Sequence, residues 1–260
     1  MQREDYFTKL YPLQDAVLAE FSGADTGFYL TGGTAASRGY LEHRFTDDLD
    51  LFVNDDSRFT LWADRLIAAA AGRQDWDVNV GLRDVRFARF TVSAPGVDLK
   101  IELVNDVPSR VGQVSVHPEL GRLDTAENIL ANKLTALRDR NEPKDLADVW
   151  GFCTRMGLSL SGALEGAHGK AAGLFPVDLA RPLLGATSSD WELVRGIEAP
   201  PVDRFLMDLR RLGEQLLLLE SPGPPSTTSC LSSSGSAPPQ SGARRCGRSS
   251  SAKAGPGEPE

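Results

Sequence analysis

Apolar residues in the N-terminal part of the chain recur with two different periods. From Tyr6 to Phe21 they recur every three or four positions, as on the buried face of an amphipathic helix. Later stretches alternate polar and apolar residues or form short apolar runs between turn residues, which predicts strands. These predicted strands cover residues 27–31, 48–53, 78–82, 85–92 and 97–104, and predicted helices over residues 34–42 and 61–71 lie between them.

The pattern after residue 123 is helical. Asp124, followed three positions on by an acidic residue, is predicted to cap a helix that ends near Arg138. Pro143 suits the first turn of the next helix, which should end near Met156. Two more helices are predicted over residues 189–195 and 202–219. We therefore predict an α+β fold, with a mixed α/β core over residues 1–122 and a helical domain over residues 123–220.

The last forty residues, 221–260, have a different composition. Ser, Pro and Gly occupy 24 of these forty positions. Such a segment buries too little apolar surface to offset the entropy of ordering it, so we predict that it is disordered. Two interpretations remain open, a tether for a partner and a dispensable tail.

Composition and charge narrow the protein class. The chain is 41% hydrophobic and 25% charged, as in ordinary globular proteins, and its formal net charge of −8 argues against broad, non-specific nucleic-acid binding. It contains no apolar run of roughly 20 residues, and its N-terminus lacks the apolar centre of a signal peptide. The three cysteines and three histidines have neither disulfide-framework nor zinc-site spacing. We expect a cytoplasmic protein with no membrane association.

Asp48 and Asp50 form the first candidate site. Alternate residues of a strand share one face, so the two carboxylates should point the same way. A hard divalent cation such as Mg²⁺ (or Mn²⁺) suits two carboxylates together with substrate phosphates. An isolated Asp-x-Asp pair is equally well explained by solvated acids on an exposed strand.

A Gly-Gly turn precedes this pair by about fifteen residues. Gly32 and Gly33 end a predicted strand and open a helix, where free N–H groups and the helix dipole favour a phosphate. Thr34 is predicted to cap that helix or to donate its hydroxyl to a phosphate oxygen. A plain strand-to-helix turn is the alternative. A phosphate cradle followed by a metal pair is, however, the arrangement that phosphoryl chemistry needs.

Further candidates lie on later elements. Glu102, with Asp98 as second choice, would supply a third carboxylate, which would complete a two-metal site and could act as general base, unless that strand face is only solvated. Lys133 interrupts an apolar helical stripe, so its ammonium should reach an anion or extend to solvent. Asp145 and Asp148 begin the next helix, where acids are also stabilising without a catalytic role. Arg138 and Arg140 would be structural partners or phosphate contacts.

Two stretches of the sequence resemble a known family. The first covers residues 30–35 and 40–52, with the Thr-Gly-Gly-Thr turn and the Asp-Asp-Leu-Asp segment. The second covers residues 127–137, followed by Arg140, Lys144-Asp145 and Asp148. Together they resemble the AbiEii/AbiGii abortive-infection toxins, which are nucleotidyltransferases with a DNA polymerase beta-like fold. The resemblance spans roughly residues 25–155.

The resemblance implies roles for individual residues. Asp48 and Asp50 would bind the metal, and Lys133 with Asp148 or Asp145 would be catalytic. The residues implied to contact the nucleotide are Gly32, Gly33, Thr34, Arg44, Arg140 and Lys144. Such proteins typically act as the toxin of a type IV toxin–antitoxin pair, with the antitoxin encoded upstream, and some relatives transfer nucleotides from NTP to tRNA ends.

The sequence departs from this family in two places. Gly33 stands where the wider superfamily often has Ser, which leaves open which group donates to phosphate. The tail is not a family feature either. Two rival functions therefore stay open: a degenerate protein of this fold that binds nucleotide or a partner without turnover, and an Asp-x-Asp glycosyltransferase that uses nucleotide sugars.

Overall fold

A mixed β-sheet forms the centre of the computed structural model, which describes residues 1–140 and 142–220. Within these residues the strands are β1 (Tyr29–Thr31), β2 (Asp48–Asn54), β3 (Asp77–Arg83), β4 (Phe87–Ala94), β5 (Val97–Asp106), β6 (Ser115–His117) and β7 (Gly121–Leu123). Their order across the sheet is β3-β4-β5-β2-β1-β7-β6. The β2–β5 and β1–β7 pairs are parallel, and the other neighbours are antiparallel. The predicted α+β class is confirmed.

The register of the central strands follows from their alternating side chains. In β2, Leu49, Leu51 and Val53 are buried on one face. Asp48 and Asp50 therefore lie on the other face. Asp50 lies opposite Thr31 of β1 and Glu102 of β5. Pairing thus brings together residues that are far apart in the chain.

Three helical segments precede or separate the first strands of the sheet. The first helical segment runs through Arg3–Asp5, Tyr6–Leu10 and Tyr11–Ser22, and its middle part has π-helical hydrogen bonding. A second segment, Gly32–Thr34 continuing as Ala35–Leu41, begins directly after β1. The helix Phe59–Ala71 buries five residues, among them Trp62 and Leu66, and contributes to the crossover from β2 to β5.

The C-terminal part of the described chain is helical, as predicted. Its helices are Ala126–Asp139, Pro143–Thr154, Leu160–His168, Pro176–Leu184, Ser188–Leu193 and Val202–Glu220. We call Ala126–Asp139 the lysine helix and Pro143–Thr154 the aspartate helix. Residues of both halves belong to one hydrophobic core and one compact unit. The proposed boundary between residues 122 and 123 stays a prediction, and the predicted disordered tail lies outside the described residues.

Several local expectations need correction. Thr125, rather than Asp124, caps the lysine helix by accepting a hydrogen bond from the Asn128 N–H. The Asp124 carboxylate is buried and accepts hydrogen bonds from Thr31 and Arg110 instead. Strands β6 and β7 and the helices Leu160–His168 and Pro176–Leu184 were not predicted. No helix in residues 1–140 and 142–220 is both long and apolar enough to cross a membrane.

Candidate active site

Four charged side chains at adjacent register positions share one face of the β2–β5 pair. The parallel register sets Asp48 beside Lys100 and Asp50 beside Glu102. Because alternate residues of a strand share a face, these four groups form a square of three acids and one base. All four line a cleft of about 740 Å³. The face that the Asp-x-Asp pattern predicted is therefore the floor of a cavity.

Asp50 is the acid of this square that lacks a partner. No hydrogen bond or ion pair involves its side chain within the described part of the chain. Burial, together with the charges of Asp48 and Glu102, raises the pKa of Asp50 to about 7. A carboxylate with this surrounding favours a nearby cation, because opposite charge stabilises its ionised form.

The other two acids of the square already have cationic partners. Lys100 Nζ lies 3.1 Å from Asp48 Oδ2 and 3.1 Å from Glu102 Oε1. Arg89 Nε donates to the same Oε1 of Glu102 at 2.8 Å. Desolvation opposes the charged lysine, but the carboxylate of Asp48 and the hydrogen bonds to both acids outweigh it and raise the pKa of Lys100.

The Gly-Gly turn fits closely against the acid square. Gly32 has φ +66°, and a Cβ built on it would lie 2.1 Å from Asp50 Oδ2. A Cβ on Gly33 would lie 2.6 Å from Arg44 Nη2. The side chains of Asp50 and Arg44 therefore fill the two spaces. The Arg44 guanidinium occupies the place that a side chain at position 33 would take, which is a physical reason for the second glycine.

The threonine of the turn has a different role from the predicted one. Thr31 occupies the N-cap position of the helix, and no side chain caps that first turn. The buried Thr34 hydroxyl donates to the backbone carbonyl of Asp48 at 2.5 Å. Thr34 therefore does not cap the helix; it ties the turn to the start of β2. Within residues 1–140 and 142–220, no side chain caps the backbone N–H groups of this first turn.

Lys133 of the lysine helix meets two acids of the aspartate helix. Its Nζ lies 2.7 Å from Asp145 Oδ1 and 2.7 Å from Asp148 Oδ2. Burial disfavours the ammonium, but both carboxylates raise the pKa of Lys133. Of the two explanations for a lysine in an apolar stripe, contact with site carboxylates is the observed one.

Asp148 is a buried junction of three cationic or polar side chains. Arg44 donates to both of its oxygens, from Nε at 2.7 Å and Nη2 at 2.8 Å, and His43 Nε2 lies 2.8 Å from Oδ1. Burial alone would raise the pKa of Asp148, but the charges of Arg44 and Lys133 hold it well below its usual range. Asp145 pairs with Lys133 and with Arg140 Nε at 2.9 Å.

The predicted residues divide into those that line the cleft and those behind it. Thr34, Asp145 and Asp148 do not line it and can act only through their neighbours. The predicted residues that do line it are Gly32, Gly33, Arg44, Asp48, Asp50, Glu102, Lys133, Arg140 and Lys144. Asp98, the second choice for a third acid, is exposed and does not line the cleft. Lys144 Nζ pairs with Glu142 at 3.0 Å.

Sequence reasoning missed three cations of the cleft. Lys100 and Arg89 were not assigned a role, although the strand alternation already placed Lys100 on the same face as Glu102. Arg195 also lines the cleft, where it contacts Tyr6 and Asp47. Its position comes from a backbone bridge between Arg44 and Gly196. No local pattern indicates that contact, because the partners lie about 150 residues apart.

The chemistry of the floor fits a divalent cation. Asp48 and Asp50 offer hard oxygen ligands on one face, and no residue that the structure describes competes for Asp50 through a hydrogen bond or an ion pair. In the described ranges, however, no three His, Cys, Asp or Glu side chains are grouped so that they could hold a metal ion. Two carboxylates completed by substrate phosphates form a common Mg²⁺ arrangement. Glu102 as a third metal ligand stays a prediction, and its observed partners are Lys100 and Arg89.

Comparison with known proteins identifies the family and the fold. Residues 16–187 match the family model described as nucleotidyl transferase AbiEii toxin, type IV TA system. The structure is similar to JHP933 from Helicobacter pylori, with a TM-score of 0.56, 20% identity, and coverage of 83% of this chain and 93% of that one. It is also similar to MenT4, the nucleotidyltransferase toxin Rv2826c from Mycobacterium tuberculosis H37Rv, with a TM-score of 0.50, 18% identity, and coverage of 80% and 82%. No curated protein matches the sequence. At these identities the structural likeness shows the fold.

Proposed function

Because this chain belongs to the AbiEii nucleotidyltransferase toxin family of type IV toxin–antitoxin systems, we propose that it transfers a nucleoside monophosphate from an NTP to an RNA hydroxyl. The favoured acceptor in this proposal is a tRNA 3′ end. The reaction would take place in the cleft between the acid square and the lysine helix. The single observation that carries this proposal is the close approach of the Gly32 turn to Asp50, the residues that we propose as phosphate cradle and metal ligand.

Different residues of the cleft would bind the triphosphate and the divalent cation. The uncapped N–H groups after Thr31 would hold triphosphate oxygens, and Asp48 and Asp50 would hold Mg²⁺ or Mn²⁺. When bound, this cation would neutralise part of the phosphate charge. Arg140 and Lys144, which are about half exposed at the cleft, would supply further positive charge to the phosphates.

In the chemical step, the acceptor oxygen forms a bond to the α-phosphorus while the bond to the leaving pyrophosphate breaks. The hydroxyl proton passes to a carboxylate of the cleft floor, for which Glu102 is the candidate. Lys133 would stabilise the phosphate charge as it develops, since pre-organised cations do this in phosphoryl transfer. Asp145 and Asp148 would act as positioning residues that hold the Lys133 ammonium at the cleft wall.

A cognate antitoxin, encoded upstream, is the expected protein partner of a toxin from this family, and we propose that the pair acts in the cytoplasm as an abortive-infection defence. A small winged-helix protein in the adjacent upstream reading frame would support this role. The acidic net charge suits an RNA contact limited to the cleft rather than spread over the surface.

The proposal is tested by incubating the protein and Mg²⁺ with total RNA and each α-labelled NTP in turn. We expect one NTP to label a small-RNA band, and Asp50→Ala, folded as judged by circular dichroism, to give no label. Full activity of Asp50→Ala would overturn the proposal. Labelling with nucleotide sugars alone would favour a glycosyltransferase, and nucleotide binding in calorimetry without any labelled acceptor would favour a degenerate binding protein.

A further inference from the structure

Lys100 occupies the position where a second cation would sit in a centre of three carboxylates. Its Nζ is equidistant, at 3.1 Å, from Asp48 Oδ2 and Glu102 Oε1. Asp48 and Glu102 therefore lie at diagonally opposite corners of the square, and Lys100 lies at a corner between them. This arrangement follows from the strand register, in which Asp48 pairs with Lys100 and Asp50 pairs with Glu102. A lysine ammonium is a compact charge with three donors, so one lysine can bridge two carboxylates as a metal ion does.

Glu102 is also the acid of the square that has the most positive charge around it. Arg89 approaches its Oε1 from β4, where the two residues are register partners, and Lys100 approaches the same oxygen from within β5. A metal ion that bound Oε1 of Glu102 would have to displace both cations. Asp50, in contrast, has no partner to lose among the described residues, so one divalent cation would be drawn to the Asp48–Asp50 side.

We propose that Lys100 replaces the second metal ion of the centre, so that the site binds a single divalent cation through Asp48 and Asp50 while Glu102 serves as the anchor of Lys100. This inference rests on the proposed nucleotidyltransferase function. The Lys100 side chain is 44% exposed and lines the cleft, so its remaining N–H donor is available to a substrate phosphate oxygen.

The test counts bound Mn²⁺ by electron paramagnetic resonance on the full chain, with a non-hydrolysable NTP analogue present. We expect one Mn²⁺ per wild-type protein and two per Lys100→Met protein, because that change frees Asp48 and Glu102 for a second ion. Lys100→Arg keeps the charge and should bind one. Lys9→Met is the matched control: Lys9 is 47% exposed and pairs with Asp5, but it does not line the cleft. It should also bind one.

Each outcome decides between the alternatives. Two Mn²⁺ ions on the wild-type protein, or one on both the wild-type and the folded Lys100→Met protein, would overturn the role of Lys100. The wild-type count alone keeps the inference testable if Lys100→Met does not fold. Absence of Mn²⁺ binding to the wild-type protein, or unchanged binding after Asp50→Asn, would instead remove the metal-dependent function on which the inference rests.

Discussion

The Lys133 ammonium lies 2.7 Å from Asp148 Oδ2, and both side chains are buried between the lysine helix and the aspartate helix. Arg44 reaches the same carboxylate from the segment before β2. One buried anion thus joins the helical half of the chain to the strand that carries the two metal-binding candidates. Removing its charge would take from the buried Arg44 the carboxylate that accepts two of its hydrogen bonds, and would leave Lys133 paired with Asp145.

We therefore expect Asp148→Asn to lower the free energy of unfolding by about 3–5 kcal/mol, as when one partner of a buried ion pair is removed. Asp145→Asn should cost less, about 1–3 kcal/mol, because Lys133 keeps Asp148 and because Arg140 is half exposed. Urea unfolding followed by circular dichroism measures both. Equal losses for the two variants would contradict the assignment of Asp148 as the junction.

A second prediction concerns Asp50, whose environment opposes its charge. No described residue forms a hydrogen bond or an ion pair with the Asp50 side chain, and the charges of Asp48 and Glu102 lie nearby. The ionised Asp50 carboxylate therefore destabilises the metal-free fold. Asp50→Asn should therefore raise the melting temperature without metal by about 2–4 °C, which corresponds to about 1 kcal/mol for a chain of this size. The same variant should lose nucleotidyl transfer by more than about 100-fold, as expected when a metal ligand is removed.

Differential scanning fluorimetry in EDTA and the labelling assay test this pair of effects. Asp98→Asn is the control, because Asp98 lies on the neighbouring strand β5 but is exposed and outside the cleft. This change should alter neither the melting temperature nor the transfer activity. A lower melting temperature for Asp50→Asn would show that the acid has a stabilising partner after all.

Local patterns predicted the parts of the site that depend on neighbours in sequence. The alternation of Asp48, Leu49 and Asp50 fixes the face of β2, and Lys133 stands out because a charge interrupts an apolar helical stripe. Contacts set by strand register could not be predicted in this way. The distance from Lys100 to Asp48 depends on which residues of β5 and β2 are paired, and 51 sequence positions separate them.

The missed elements have similar explanations. β7 is three residues long, and it pairs in parallel with β1 some ninety positions away. The helix Leu160–His168 contains two glycines and Pro176–Leu184 contains an internal proline, residues that weaken a helical pattern. In both helices, packing against neighbouring helices supplies the stability that the intrinsic propensities do not.

The third prediction uses the buried His43 and the pH dependence of stability. Burial is the largest influence and lowers the pKa of His43 below its ordinary value of 6.5, although Asp148 opposes this shift. Below pH 6.5 His43 binds a proton in the unfolded chain but not in the folded protein. The free energy of unfolding therefore falls as the pH falls. His43 alone contributes up to about 1.4 kcal/mol per pH unit between 6.5 and its folded pKa.

The measurement is the free energy of unfolding of wild type and His43→Gln at intervals from pH 7.5 to pH 5. Asp50 acts in the opposite direction, because its raised pKa favours the folded protein as the pH falls towards 4. The difference between the two proteins isolates His43. That difference should shrink as the pH falls; a constant difference would mean that folding leaves the pKa of His43 unchanged, and a growing difference would mean that folding raises it.

The last prediction separates the backbone role of Gly32 from its steric role. Gly32→Ala must adopt a positive φ and must also displace Asp50, since the new Cβ would lie 2.1 Å from the carboxylate oxygen. Gly96, in the β4–β5 turn, has φ +75° and no atom within 4 Å of its Cβ position. Gly96→Ala therefore carries only the backbone strain, of about 1–2 kcal/mol.

Both variants should lose comparable stability from strain, but only Gly32→Ala should lose Mn²⁺ binding and nucleotidyl transfer, because only there does the added methyl group move a proposed metal ligand. Mn²⁺ titration at 10 °C, where both variants remain folded, makes the comparison. If Gly32→Ala bound Mn²⁺ as tightly as Gly96→Ala, then Asp50 could move away from the turn without loss of the site, and the close fit between Gly32 and Asp50 would have no part in binding the cation.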